Sequence, residues 1–170
     1  MNKILIILSL VLLASCAPNE FPSKDLVERQ GLTYEVNSQT PYSGPFESYL
    51  KNGQLKSKAN YKDGENNGLY ERYHDNGQLH YKTNYKDGRM VDGLYESYYE
   101  KGQLKSKSNH KDGEQVLWEF YYDNGQLQIK GNFKDGQIDG LYEMYLENGE
   151  LIFKTCYKNG ETTDMSYCEK

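Results

Sequence analysis

The sequence predicts an all-β protein: an elongated single antiparallel sheet of tandem β-hairpin repeats, about five copies of 24 residues each. Three observations lead there. First, a short phrase recurs, "NGQL" at 52–55, 76–79 and 124–127, "KGQL" at 101–104 and "NGEL" at 148–151. Its glycines stand at 53, 77, 102, 125 and 149, and self-similarity at such a period marks a repeat array. Second, the internal spacings do not vary. Eleven positions after each of these glycines comes the glycine of "YKDG" or a close variant, and nine positions before it stand Gly44, Gly68, Gly93, Val116 and Gly140. All length changes therefore fall in the connectors "ENN", "RMVD", "EQ" and "QID", which are expected to be loops. Third, Asn-Gly between β-prone runs predicts a two-residue type I′ turn, and that turn sets a register. With Asn76 and Gly77 in the turn, Glu71 faces Lys82, and the same rule pairs Glu47 with Lys58, Glu96 with Lys107, Glu119 with Lys130 and Glu143 with Lys154. A second column varies together: Ser48 with Ser57, Arg72 with Tyr81, Ser97 with Ser106, Phe120 with Ile129, Met144 with Phe153.

Taken in chain order, residues 1–15 read as a signal peptide. One Lys precedes an apolar run from Ile4 to Ala14, broken only by Ser9, too short for the ~20 residues that a membrane-spanning helix needs. Leu13, Ala14, Ser15 and Cys16 resemble a lipobox, the cleavage signal of bacterial lipoproteins. The resemblance implies removal of 1–15, lipidation of Cys16, and an anchor in the cell membrane or outer membrane facing the periplasm or exterior; Ala17 in place of Asp implies the outer membrane where there is one. Residues 16–25 are the lipidated Cys and a polar tether with two Pro. Residues 26–43 form an N-terminal cap hairpin around Gly31, 44–160 the five repeats, and 161–170 a C-terminal capping strand. If the last loop centres on Thr162, Cys156 lies opposite Cys168, a disulfide candidate in an oxidising compartment.

Alternation assigns the faces. One face is apolar, with Tyr70, His74, Leu79, Tyr81 and Tyr85 in the second copy and Trp118, Phe120, Tyr122, Leu127, Ile129 and Phe133 in the fourth. The other holds the ion-pair ladder and a tyrosine column, Tyr49, Tyr73, Tyr98, Tyr121 and Tyr145. Only 36% of the chain is hydrophobic, so a thick two-layer core is not expected, and the 17 Tyr suit a sheet whose rings pack while their hydroxyls stay wet.

The unit "GLYExYxxNGQLxxKxxYKDG" resembles the MORN repeat variant (membrane occupation and recognition nexus), found in bacterial lipoproteins and in an antitoxin-like group linked to toxin-antitoxin systems. The resemblance covers residues 44–160 and implies the hairpin array and a scaffold that contacts protein or lipid. The departures are Val116 and Pro45, and Lys101 in place of the turn Asn. In the expected turn Lys101 would need positive φ, at a cost of ~1 kcal/mol.

Motifs for catalysis are missing: no "GxSxG", "HExxH", phosphate-binding glycine loop or CxxC occurs. The repeat glutamates each face a lysine that keeps them ionised, which suits a ladder and not a general acid. His74 and His80 are expected on opposite faces, which excludes their meeting at a metal. Asp63, Glu65 and Asn67 alternate oxygens but lack the closing acid of a calcium loop. No metal and no cofactor are expected. With 25 acidic and 20 basic residues, and one Lys lost with residues 1–15, the mature net charge is −6, which disfavours nucleic acid. The expectation is a non-enzymatic, membrane-anchored lipoprotein whose ribbon is a protein-protein interaction scaffold at the cell envelope, its candidate surface Trp118, Phe120, Tyr121, Tyr122, Phe133, Tyr73, Tyr98 and Tyr145. The alternatives are an antitoxin-like inhibitor of a toxin partner and an envelope module for glycan or lipid.

Overall fold

The computed structural model describes residues 25–112 and 114–169. The expected signal peptide, Cys16 and the tether up to residue 24 lie outside the described residues. A first hairpin, β1 (Leu26–Arg29) and β2 (Leu32–Glu35), stands apart as a two-stranded sheet. All later strands among the described residues belong to one antiparallel sheet of thirteen. Its long strands are β3 (Gly44–Tyr49) with β4 (Leu55–Lys62), β6 (Gly68–Tyr73) with β7 (Leu79–Lys86), β9 (Gly93–Tyr98) with β10 (Leu104–Lys111), β11 (Glu114–Tyr121) with β12 (Leu127–Lys134), and β13 (Gln137–Tyr145) with β14 (Leu151–Lys158). Three short ones, β5 (Glu65–Asn66), β8 (Arg89–Met90) and β15 (Glu161–Thr163), fold back after a turn.

The "NGQL" turn is not the two-residue type I′ turn expected. In the second copy the His74 N–H donates to Gln78 O at 2.8 Å and the Gly77 N–H to His74 O at 2.9 Å, so the loop holds Asp75, Asn76 and Gly77. Only the glycine takes positive φ, 84° at Gly77. Asn contributes its side chain: Asn76 Oδ1 accepts from the Gln78 N–H at 2.9 Å. A three-residue loop shifts the register by one, and a bulge shifts it back. Tyr73 faces Leu79 but Arg72 faces Tyr81, leaving His80 as the extra residue. Glu71 therefore does meet Lys82, by another route than the one predicted. Lys101, in a position without positive φ, carries none of the expected cost. The left-handed pair belongs instead to "KDG", where Asp87 has φ 49° and Gly88 73°.

The connectors are not loops either. After each "KDG" turn the chain pairs back at once, Tyr61 with Asn66 and Tyr85 with Met90, and then bulges into the next long strand. The bulge absorbs the length variation. In the four-residue connector Tyr85 faces Met90 while Lys82 faces Glu96, so three residues are surplus. In the two-residue connector His110 faces Gln115 while Asn109 faces Leu117, so one is.

Each strand crossing repeats one arrangement. On the apolar face an aromatic ring on the first strand stands beside a small residue on the second: Phe46 by Ala59, Tyr70 by Thr83, Tyr95 by Ser108, Trp118 by Gly131, Tyr142 by Thr155. The small residue gives the ring room to lie over the sheet, and Ala59, Thr83 and Ser108 are buried beneath these rings. Tyr42 and Cys156 are the other buried apolar residues among those described.

At the carboxyl end the chain turns at Asn159 and Gly160, pairs Thr162 with Tyr157, and enters a 3-10 helix, Met165–Tyr167. The expected closing strand is thus only three residues long and its turn lies before Thr162. Cys156 and Cys168 are joined by a disulfide, Cα–Cα 6.1 Å, reached through that helix and not across a strand pair.

Candidate interaction surface

The sheet has no covering layer among the described residues, so each face is built from side chains that half-bury one another. On the apolar face rings join within and between copies. Tyr81 stacks on Tyr70 and on Tyr95, with centroids 5.8 Å apart in each case and ring planes inclined by 25° and 26°. Trp118 meets Phe120 edge-on at 4.0 Å and Phe133 at 6.4 Å. Tyr142 packs edge-on against Phe153 and Tyr157.

The other face is an ordered polar mosaic. Glutamate and lysine alternate across ten strands: Glu47, Lys58, Glu71, Lys82, Glu96, Lys107, Glu119, Lys130, Glu143, Lys154. Ion pairs form between Lys58 and Glu47 (3.2 Å), Lys130 and Glu119 (3.4 Å) and Lys154 and Glu143 (3.5 Å). Lys82 departs from the expected within-hairpin pair with Glu71 and reaches Glu96 of the next copy at 2.7 Å. A lysine flanked by two carboxylates can choose either, so the ladder links copies as well as hairpins.

A tyrosine two residues along each first strand donates to the glutamate beside it: Tyr73 to Glu71 at 2.9 Å, Tyr98 to Glu96 at 3.1 Å, Tyr121 to Glu119 at 2.9 Å, and Tyr49 to Glu47. Burial, then the bond to a carboxylate, pushes the Tyr73 and Tyr121 hydroxyls up to about 12. The Tyr49 hydrogen bond, with help from Lys58, holds Glu47 below its ordinary value.

The candidate residues therefore divide. Trp118, Phe120 and Phe133 share the apolar face, while Tyr73, Tyr98, Tyr121 and Tyr145 belong to the ladder. Tyr122 spans copies, its hydroxyl donating to Tyr145 O at 2.9 Å, as Tyr99 does to Tyr121 O at 2.8 Å. The fourth copy is not the most exposed apolar stretch. Leu146, Leu151, Ile152 and Phe153 in the fifth are 40–55% exposed, because an end copy has a neighbour on one side only.

His74 and His80 are corrected too. The bulge that makes His80 the extra residue turns it to the same side as His74, and the ring centroids are 4.2 Å apart. His74 Nε2 lies 3.0 Å from Tyr98 O, and burial, with the charges of His74, Arg72 and Lys105, holds His80 below the usual imidazole value. Among the described residues no group of three His, Cys, Asp or Glu is placed to hold a metal. The column of small residues at 59, 83, 108, 131 and 155 escaped the sequence reading, although Ala, Thr, Ser, Gly and Thr at one repeat position is a visible signal.

The model of the MORN repeat variant matches residues 42–63, 66–87, 91–112, 114–135 and 138–159, one match per copy. The chain belongs to the MORN repeat variant family. MORN repeats are in general modules for interaction with proteins or membranes. The matched phase begins at Tyr42, Asn66, Val91, Glu114 and Ile138, so each MORN repeat takes in the end of its connector. No curated protein matches the chain. Among solved structures the chain is similar to part of a GtfA/B complex bound to UDP and GlcNAc, at 14% identity and TM-score 0.26, covering 82% of this chain and 24% of that one. It is also similar to part of accessory secretory protein 1, 2 and 3 of Streptococcus pneumoniae, at 19% identity and TM-score 0.24, covering 72% and 21%. The chain spans about a quarter or less of either.

Proposed function

We propose that this protein is a non-enzymatic interaction scaffold, displayed at the cell envelope from a lipidated Cys16, which holds another protein against its MORN ribbon. The observation that supports it is the apolar face: clusters of packed rings, one of them (Tyr70, Tyr81, Tyr95) bridging two copies, with no second layer over them among the described residues, and the exposed Leu146, Ile152 and Phe153 in the last copy. Aromatic side chains half-buried on a rigid sheet bind with little loss of conformational freedom.

A photo-crosslinking residue at Phe120 or Ile152, in intact cells, should give discrete protein adducts, and one at the exposed Leu69 on the ladder face should not. Adducts from Leu69 alone would remove this reading. Cys16→Ser should release the protein from the membrane fraction, and retention there would remove the anchor. The stacked Tyr70, Tyr81 and Tyr95 favour one second reading, an envelope glycan ligand. It expects saturable quenching of tyrosine fluorescence by cell-wall sugars, and flat titrations would dismiss it.

A further inference from the structure

The long second strand of each interior hairpin is paired on both sides; β14 is not. β15 covers Cys156, Tyr157 and Lys158 and then turns away, so 151–155 have β13 on one edge and no described strand on the other. The apolar residues follow that gap. Leu151, Ile152 and Phe153 are exposed, whereas Leu127 and Ile129 are half-buried, and Thr155 is half-buried where Ala59, Thr83, Ser108 and Gly131 are buried. The charge ladder stops at the same place. Lys58, Lys82, Lys107 and Lys130 each stand between two glutamates, and Lys154 faces Glu143 on one side and the open edge on the other.

We propose that this half-edge of β14 is a strand-addition site, and that its occupant is an extended antiparallel segment of another protein with an aromatic residue followed by a carboxylate. The fold itself shows the chemistry the edge accepts. At the four interior junctions the residue opposite the lysine is always a glutamate, and the residue just before it is Tyr70, Tyr95, Trp118 or Tyr142. An incoming strand of that pattern sets its carboxylate on Lys154, its ring over Thr155, and its backbone on groups that otherwise see water.

A second copy of this chain does not fit there. Tyr42 O accepts the Gly64 N–H as Asn66 O accepts that of Gly88, so Tyr42 holds the place of Asn66 in the array. Asn66 pairs with Tyr61, but the corresponding Tyr157 already pairs with Thr162. A head-to-tail array would put Tyr42 and Thr162 on one spot, and the two caps exclude each other.

This inference rests on the protein-interaction reading, and the test separates the two. The probe is a labelled hairpin peptide with the sequence of residues 93–111, titrated against the full mature chain. Saturable binding is expected, weakened about fivefold when the peptide's Glu96 is replaced by lysine, with Lys154→Glu reversing that order. N-methylation of the peptide edge facing β14 should abolish binding, since it removes the donors without changing the side chains. Equal affinity of the two charge variants, indifference to N-methylation, or no saturable binding overturns the edge site. Crosslinks from Phe120 with none from Ile152 would do so too, while leaving the scaffold reading standing. Self-association of the chain that Lys154→Glu abolishes would overturn the foreign strand in favour of a second copy.

Discussion

In the "KDG" turns of the first, second, fourth and fifth copies two residues carry the backbone's unusual conformations, and one does so in the "NGQL" turns. Asp63, Asp87, Asp112, Asp135 and Asn159 hold φ between 49° and 54°, a region short polar side chains tolerate. Gly77 is the single left-handed residue of its turn, and a Cβ there would meet nothing within 4 Å. Gly77→Ala should therefore cost only the conformational penalty, about 1 kcal/mol in urea denaturation, with no change in register. Asn-Gly was read in the sequence as the hairpin pair because its dipeptide preference is strong, but Asn76 is better used as a side-chain acceptor for Gln78 N–H. The preference was legible; which of two turns used it was not. The tyrosines give a second residue-scale test. Their hydroxyls are pushed above 10 in the folded chain, to about 12 at Tyr73 and Tyr121, so they hold their protons where the unfolded chain has lost them. The stability this supplies is complete below pH 10 and is lost as pH rises toward 12. Denaturant midpoints should be flat approaching pH 10 and fall beyond it, and a midpoint that rises over pH 10–12 would contradict the Tyr-Glu pairing.

At the scale of the strand, register is kept by paired irregularities. The period, the hairpins and the Glu-Lys columns could all be read from the sequence, since each is a constant spacing between residues of opposite character. The bulges could not, because a bulge and a loop leave the same trace, a variable number of residues between fixed positions. His80 was misplaced for that reason, and so were the connectors. A deletion separates the two mechanisms. Removing Asn67 shortens a three-residue connector to the two-residue length already present at 114–115, so the protein should keep its sheet and lose at most about 1 kcal/mol. Removing Asn84, inside β7, must turn half of that strand over and should cost several times as much. Circular dichroism and thermal melts of the two variants decide between a bulge that gives and a strand that cannot.

At the scale of the molecule, each copy touches only its neighbours, and stability adds up along the ribbon from units and junctions. The ends are then the weak points. The Cys156–Cys168 disulfide encloses a short loop and should supply about 3 kcal/mol to the C-terminal cap by restricting its unfolded forms. In Cys168→Ser, hydrogen exchange should quicken in β15 and in Met165–Tyr167 while β6 through β12 keep their protection. Uniform loss of protection would mean that the sheet unfolds as one block. The bulges have a consequence of another kind, for how such a chain can lengthen. A gene that duplicates one copy by unequal crossing-over need not break at the correct codon. One, two or three surplus residues at the join are all housed already, so imprecise recombination there yields a longer ribbon in frame with its own columns.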